Sequence, residues 1–173
     1  MFTLLVSPLV SSRVSPLVSL CLIAPVSGPI VEPFVAPACP YCAGNRAIEF
    51  ATTVDEVVRA PIGGIVHFAG TVAGRRYLTV RTDVDLVTVG GIGAFEPGVA
   101  RGRQVRQGQV VAIALGPDDP VSLSRRPLAD PSVHLDPAPS LGRLVTPGPR
   151  ARLVPRDGTV RRPAPRAVCR PDG

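Results

Sequence analysis

The sequence predicts an all-β domain with an antiparallel sheet, of barrel-sandwich-like form, as its core. Short apolar, β-branched-rich runs stand at residues 65–68, 77–80, 86–89 and 110–113, the lengths and composition of strands. Glycine-containing turns separate the runs, and no 3.6-residue periodicity lies between them. With 21 Pro and 17 Gly in 173 residues and aromatics at only 4%, the chain is built of turns and extended segments. That composition excludes a long helical bundle, and the length suits one domain with flanking segments.

In chain order, residues 1–25 form the first expected unit. The stretch MFTLLVSPLVSSRVSPLVSLCLIA is apolar, with one Arg and no acid, and suits an export signal or a membrane-anchoring leader. Pro8 and Pro16 interrupt it, and Leu20 stands where a lipid-acylation site at Cys21 would need a small residue. The expected location is therefore exported, in the cell envelope or outside the cell. Residues 26–142 form the expected core domain. Its first part is a proline-spaced extended segment ending at Phe34.

Cys39-Pro40-Tyr41-Cys42 follows. An exported compartment is oxidising, so a short structural disulfide between Cys39 and Cys42 suits the spacing. A redox pair would need a helix start in a βαβ setting, and a zinc knuckle a second ligand pair at matching spacing; the sequence has neither. Four cysteines allow three complete pairings, and all three stay open at this point.

The core strands come next, with Gly63-Gly64, Ala73-Gly74, Gly90-Gly91, Gly102 and Gly108 expected at turns. Gly116-Pro117-Asp118-Asp119-Pro120 reads as a further turn, residues 121–126 as a short strand, and Leu135 through Gly142 as the closing segment. Residues 143–173 hold eight Arg against two Asp, with six Pro, and are expected to be a disordered basic tail. Arginine is the only basic residue besides histidine in the chain: all 19 Lys-plus-Arg positions are Arg, and the net charge is +6. The tail accounts for that whole excess, which suits anionic envelope polymers as partners rather than nucleic acid.

The run V-R-A-P-I-G-G-I-V-H-F-A-G-T-V-A-G from Val58, the later V-R-Q-G-Q-V-V-A from Val105, and L-D-P-A-P-S-L-G from Leu135 resemble the sheet core of the LytM/lysostaphin-type zinc endopeptidases. These enzymes cut peptidoglycan cross-bridges. The resemblance implies a scaffold over residues 26–142 and a zinc site made of H-x-x-x-D plus the second His of a late H-x-H. At the matching positions this chain carries Asn45, Glu49 and Ser122. The family's T-x-Y-x-H-L run becomes Thr88-Val89-Gly90-Gly91-Ile92, and no histidine lies between His67 and His134.

A neutral amide and a hydroxyl are poor zinc ligands, so at most Glu49 remains able to bind metal. No catalytic residue and no metal ligand is assigned on this reading, and no cofactor is expected. The resemblance thus implies a peptidase-like envelope domain without catalysis, binding peptidoglycan or regulating a wall hydrolase. Asn45, Arg46 and Glu49 are its groove-binding candidates. The alternative is a zinc endopeptidase that uses Glu49 with non-family ligands. His67 and His134 read as ordinary sheet-face and edge residues. A lipoyl-type module shares the scaffold in outline, but its attachment chemistry needs a lysine, which the chain lacks. No serine elbow or phosphate loop stands in for the missing site.

Overall fold

The computed structural model describes residues 20–39, 41–145 and 165–169. Twelve strands run in the order β1 (Leu22–Ile23), β2 (Ile30–Glu32), β3 (Ile48–Phe50), β4 (Val57–Arg59), β5 (Gly64–Val72), β6 (Arg75–Arg81), β7 (Asp85–Phe95), β8 (Gln104–Val105), β9 (Val110–Ala114), β10 (Val121–Pro127), β11 (Leu141–Val145) and β12 (Arg166–Val168). One 3-10 turn, Ala138–Ser140, precedes β11. The all-β expectation holds.

Nine strands make the main sheet, in the order β2-β3-β10-β7-β6-β5-β8, with β9 bridging β7 to β4. Every pair in it is antiparallel. Alternation decides the two faces. Leu78 of β6, Val89 of β7 and Leu123 of β10 form one row in register, Val80 pairs with Val87, and Val121 of β10 pairs with Phe50 of β3; all of them are buried. They pack with Val58, Val105 and Val111 into one cluster that also takes in Leu20, Leu22 and Val26. Truncating a leucine in such a cluster costs about 2–5 kcal/mol. The opposite face carries the intervening polar residues and stays partly open.

Gly90 and Gly91 do not form a turn, contrary to expectation: they lie inside the eleven-residue β7. Gly91, at φ 71°, takes the left-handed conformation that a bulge needs, and a Cβ there would collide with the Pro120 carbonyl. The register slips at that point: β7 pairs with β10 before it and with β9 after it, while β6 follows it across the slip as far as Ile92. One strand thereby serves both layers.

A second sheet, β1-β11-β12, joins the two ends of the chain. β1 runs parallel to β11, with Leu22 opposite Leu141, and β11 pairs antiparallel with β12. A disulfide links Cys21 to Cys169 across 148 residues of sequence. The unit expected as a leader through residue 25 is thus partly core: Leu22 is fully buried and Ile23 nearly so. Main-chain bonds reinforce it, from Ile23 N–H to Pro61 O (3.0 Å) and from Arg59 N–H to Pro25 O (2.8 Å). The Gln107 amide donates to the Cys21 carbonyl at 2.7 Å. Likewise the expected disordered tail contributes residues 143–145 to β11 and residues 166–168 to β12. Residues 1–19, 146–164 and 170–173, which hold the rest of the expected leader and tail, lie outside the described residues.

Candidate functional site

Residues paired directly across an antiparallel sheet share a face. One such row crosses the open face: Tyr77 on β6, Gly90 on β7, Ser122 on β10, Glu49 on β3 and Glu32 on β2. The structure therefore brings two of the positions matching the metal ligands, Glu49 and Ser122, side by side. Gly90 makes the row possible. A Cβ at that position would meet the Tyr77 ring and come within 2.7 Å of Ser122 Oγ, so glycine lets the tyrosine lie across the sheet toward the serine.

Asn45 sits just before β3, in the loop that returns from the Cys39–Cys42 disulfide. Its main chain pairs with Val35, with N···O distances of 2.8 and 2.9 Å. Its amide nitrogen donates to Pro33 O at 3.1 Å, and its amide oxygen accepts from Ala47 N–H at 3.2 Å. The side chain closes a turn and both its polar ends are engaged. Among the described residues no three His, Cys, Asp or Glu side chains gather closely enough to hold a metal ion. An amide tied into its own loop, one carboxylate and one hydroxyl do not fit the tetrahedral zinc set the resemblance implies.

The next row is also polar. Thr79 pairs with Thr88, their hydroxyls 2.9 Å apart, and Thr88 pairs with Ser124. Beyond it Arg126 lies opposite Leu86. His67 stands at the bulge of β5, where the register with β6 shifts between Val66 and Phe68. His67, Phe68, Val72, Tyr77, Thr79, Thr88 and Arg126 together line a cavity of about 330 Å³.

His134 arrives at the same rim because Leu135 bridges to Arg125, putting its neighbour beside Arg126. Partial burial holds the imidazole below its ordinary pKa, and the positive charges of Arg126 and Arg46 push it the same way. On the opposite face Arg125 is tied into the core, with an ion pair to buried Asp85 at 3.0 Å and a bond to Ser140 Oγ at 3.0 Å.

Sequence reading named Asn45, Arg46 and Glu49 as groove-binding candidates, matched Thr88 to a family position without giving it a role, and passed over Arg126, Tyr77 and Thr79 as site residues. It took His67 and His134 as ordinary sheet-face and edge residues; His67 is indeed exposed on β5, where it also lines this cavity. The signal was present: Tyr77-x-Thr79-x-Arg81 and Ser122-x-Ser124-x-Arg126 put polar side chains at every second position of strands whose other side is core.

No protein-family profile matches the sequence, and no curated protein is similar to it. Solved structures do match. With one buried face and one open polar face, the main sheet has the fold of the LytM/lysostaphin-type peptidases, as three structures show. Csd3 of Helicobacter pylori aligns with 70% of this chain at 18% identity and a TM-score of 0.61. The match covers only 33% of Csd3, so this chain spans about a third of that protein's length. The catalytic domain of lysostaphin from Staphylococcus simulans aligns with 65% of this chain and 90% of its own length, at 16% identity and TM-score 0.53. The SpoIIQ-SpoIIIAH pore forming complex contributes a chain matched over 71% of this one and 92% of its own length, at 18% identity and TM-score 0.56.

Proposed function

We propose that this chain is a LytM-type domain of the cell envelope in which recognition has replaced metal chemistry, its open sheet face binding peptidoglycan peptides. One observation carries the reading. The position matching the family's first histidine is an asparagine whose neutral amide is engaged with Pro33 and Ala47 and offers no imidazole nitrogen to a metal, while the sheet face beside it stays open. In support, the open sheet face carries a cavity lined by Tyr77, Thr88 and Arg126 among others, with Ser122 in the same cross-strand row as Tyr77. A wall hydrolase is the second partner the reading admits, in keeping with the neighbour found in a two-protein complex. The eight arginines from residue 143 onward would add salt-sensitive attraction to anionic wall polymers.

The test is elemental analysis of protein purified without chelator, run beside sedimentation with purified sacculi and a cleavage assay. The expected result is sacculus binding without stoichiometric zinc or cleavage. Stoichiometric zinc with chelator-sensitive cleavage would instead establish the endopeptidase alternative through Glu49. A triple variant, Asn45→His with Glu49→Asp and Ser122→His, is expected to take up zinc that the natural chain does not.

A further inference from the structure

The cavity on the open face is chemically one-sided. Its polar lining consists of hydrogen-bond donors or groups able to donate: the Arg126 guanidinium, the Tyr77 phenol, the His67 ring and the hydroxyls of Thr79 and Thr88. No carboxylate lines it. The ion pair on β10 belongs to Arg125, on the other face, and no carboxylate among the described residues pairs with Arg126. Thr79 and Thr88 share one hydrogen bond, which uses one of their two hydroxyl protons and leaves the other to donate. Phe68 and Val72 form the apolar wall. Glu49 shares the row of Tyr77 but stands three strand spacings away, on the order of 14 Å.

We propose that this cavity holds the free carboxylate of a short peptide ending in a small apolar residue. Arg126 and the threonine hydroxyls take the carboxylate, and Phe68 with Val72 covers the side chain. A planar guanidinium suits a carboxylate because two parallel N–H donors meet its two oxygens. The cavity has room for a terminal residue and its peptide unit but not for a folded partner. This inference rests on the peptide-binding reading above and names the group that is recognised.

The probe is N-acetyl-alanyl-alanine in its D,D and L,L forms, titrated calorimetrically into the full chain beside the corresponding C-terminal amide. The acid is expected to bind at least about tenfold more tightly than the amide, the loss matching a charge-assisted hydrogen-bond pair. Arg126→Gln is expected to erase that difference. Val72→Asp, at an exposed wall position, is expected to repel the acid while leaving the melting temperature unchanged. Equal binding of acid and amide, or acid binding that survives Arg126→Gln, overturns the proposal. Sacculus binding that persists while neither peptide form binds overturns it too, yet leaves the envelope-binding reading standing. Loss of sacculus binding by the natural chain removes that reading itself.

Discussion

The two sheets of this molecule are held together by different means. The main sheet is assembled from neighbours in sequence: β5, β6 and β7 follow one another through short turns, and each carries its own alternation of core and surface residues. The small sheet is assembled from the two ends of the chain and clasped by Cys21–Cys169. Local pattern specifies the first, while a covalent bond and a few buried side chains specify the second. The difference predicts that the small sheet depends on its staple and the large one does not.

The largest expected effect comes from core truncation in each sheet. Leu22 and Leu78 are both fully buried in the same cluster, so Leu22→Ala and Leu78→Ala are each expected to cost about 2–5 kcal/mol in urea unfolding. Equal costs with a single transition would make the clasp part of one cooperative unit. A clearly smaller cost for Leu22→Ala, with early amide exchange confined to β1, β11 and β12, would make it a separately opening element. Next in size is the Cys21→Ser, Cys169→Ser double variant, expected to lose about 2–5 kcal/mol because the bond closes so long a loop. The Cys39→Ser, Cys42→Ser pair closes a loop of sequence separation 3 and is expected to lose far less. Matching losses from the two pairs would contradict the role given to the clasp.

The same contrast explains how much of the structure could be read from the sequence. The β5, β6, β7, β9 and β10 runs were legible because strand alternation is written into consecutive residues. β1 was not: LeuIle after a serine-spaced apolar run looks like a leader, and only its partner Leu141, far along the chain, makes it a strand. β12 was hidden for the opposite reason, in an arginine- and proline-rich stretch that also carries Cys169. At the site, Glu49 and Ser122 could be placed by resemblance, since the register keeps them adjacent. The meeting of Arg126 with Thr79 and Thr88 could not, because it takes four strands in register to turn scattered polar residues into one lining. Gly90 and Gly91 misled for a related reason, their role being set by Tyr77 and Pro120 across the sheet rather than by a turn.

Gly90→Ala sharpens the comparison within the main sheet. The added methyl group meets the Tyr77 ring and Ser122 Oγ, an overpacking worth about 1–3 kcal/mol. Because Tyr77 lines the cavity, the variant is expected to weaken peptide binding as well as lower the unfolding midpoint, whereas Leu22→Ala should lower only the midpoint. Unchanged binding in Gly90→Ala would mean that the tyrosine's position is not set by the glycine.

The smallest effect lies at the seam between the sheets. Glu56 accepts from Ser27 Oγ at 2.6 Å and from Ser27 N–H at 2.8 Å, fastening the segment after β1 to the turn before β4. These bonds, the Ser27 hydroxyl first, hold its carboxyl below the usual carboxylate pKa, with Thr53 N–H adding to them at 3.2 Å and slight burial opposing them. A depressed folded-state pKa means that the unfolded chain binds the proton more readily. The Glu56 contribution is therefore complete above the ordinary glutamate range and fades as pH falls through the lower, folded value. Being near solvent and screened, it is worth less than about 1 kcal/mol. Melting curves of the natural chain and of Glu56→Gln are expected to differ at pH 7 and to converge toward pH 3. If amide exchange in β1 rises over the same interval while β6 and β7 hold, acid is releasing the clasp from the main sheet at this contact. A gap between natural chain and variant that stays constant with pH would instead place the bond's value in geometry rather than in charge.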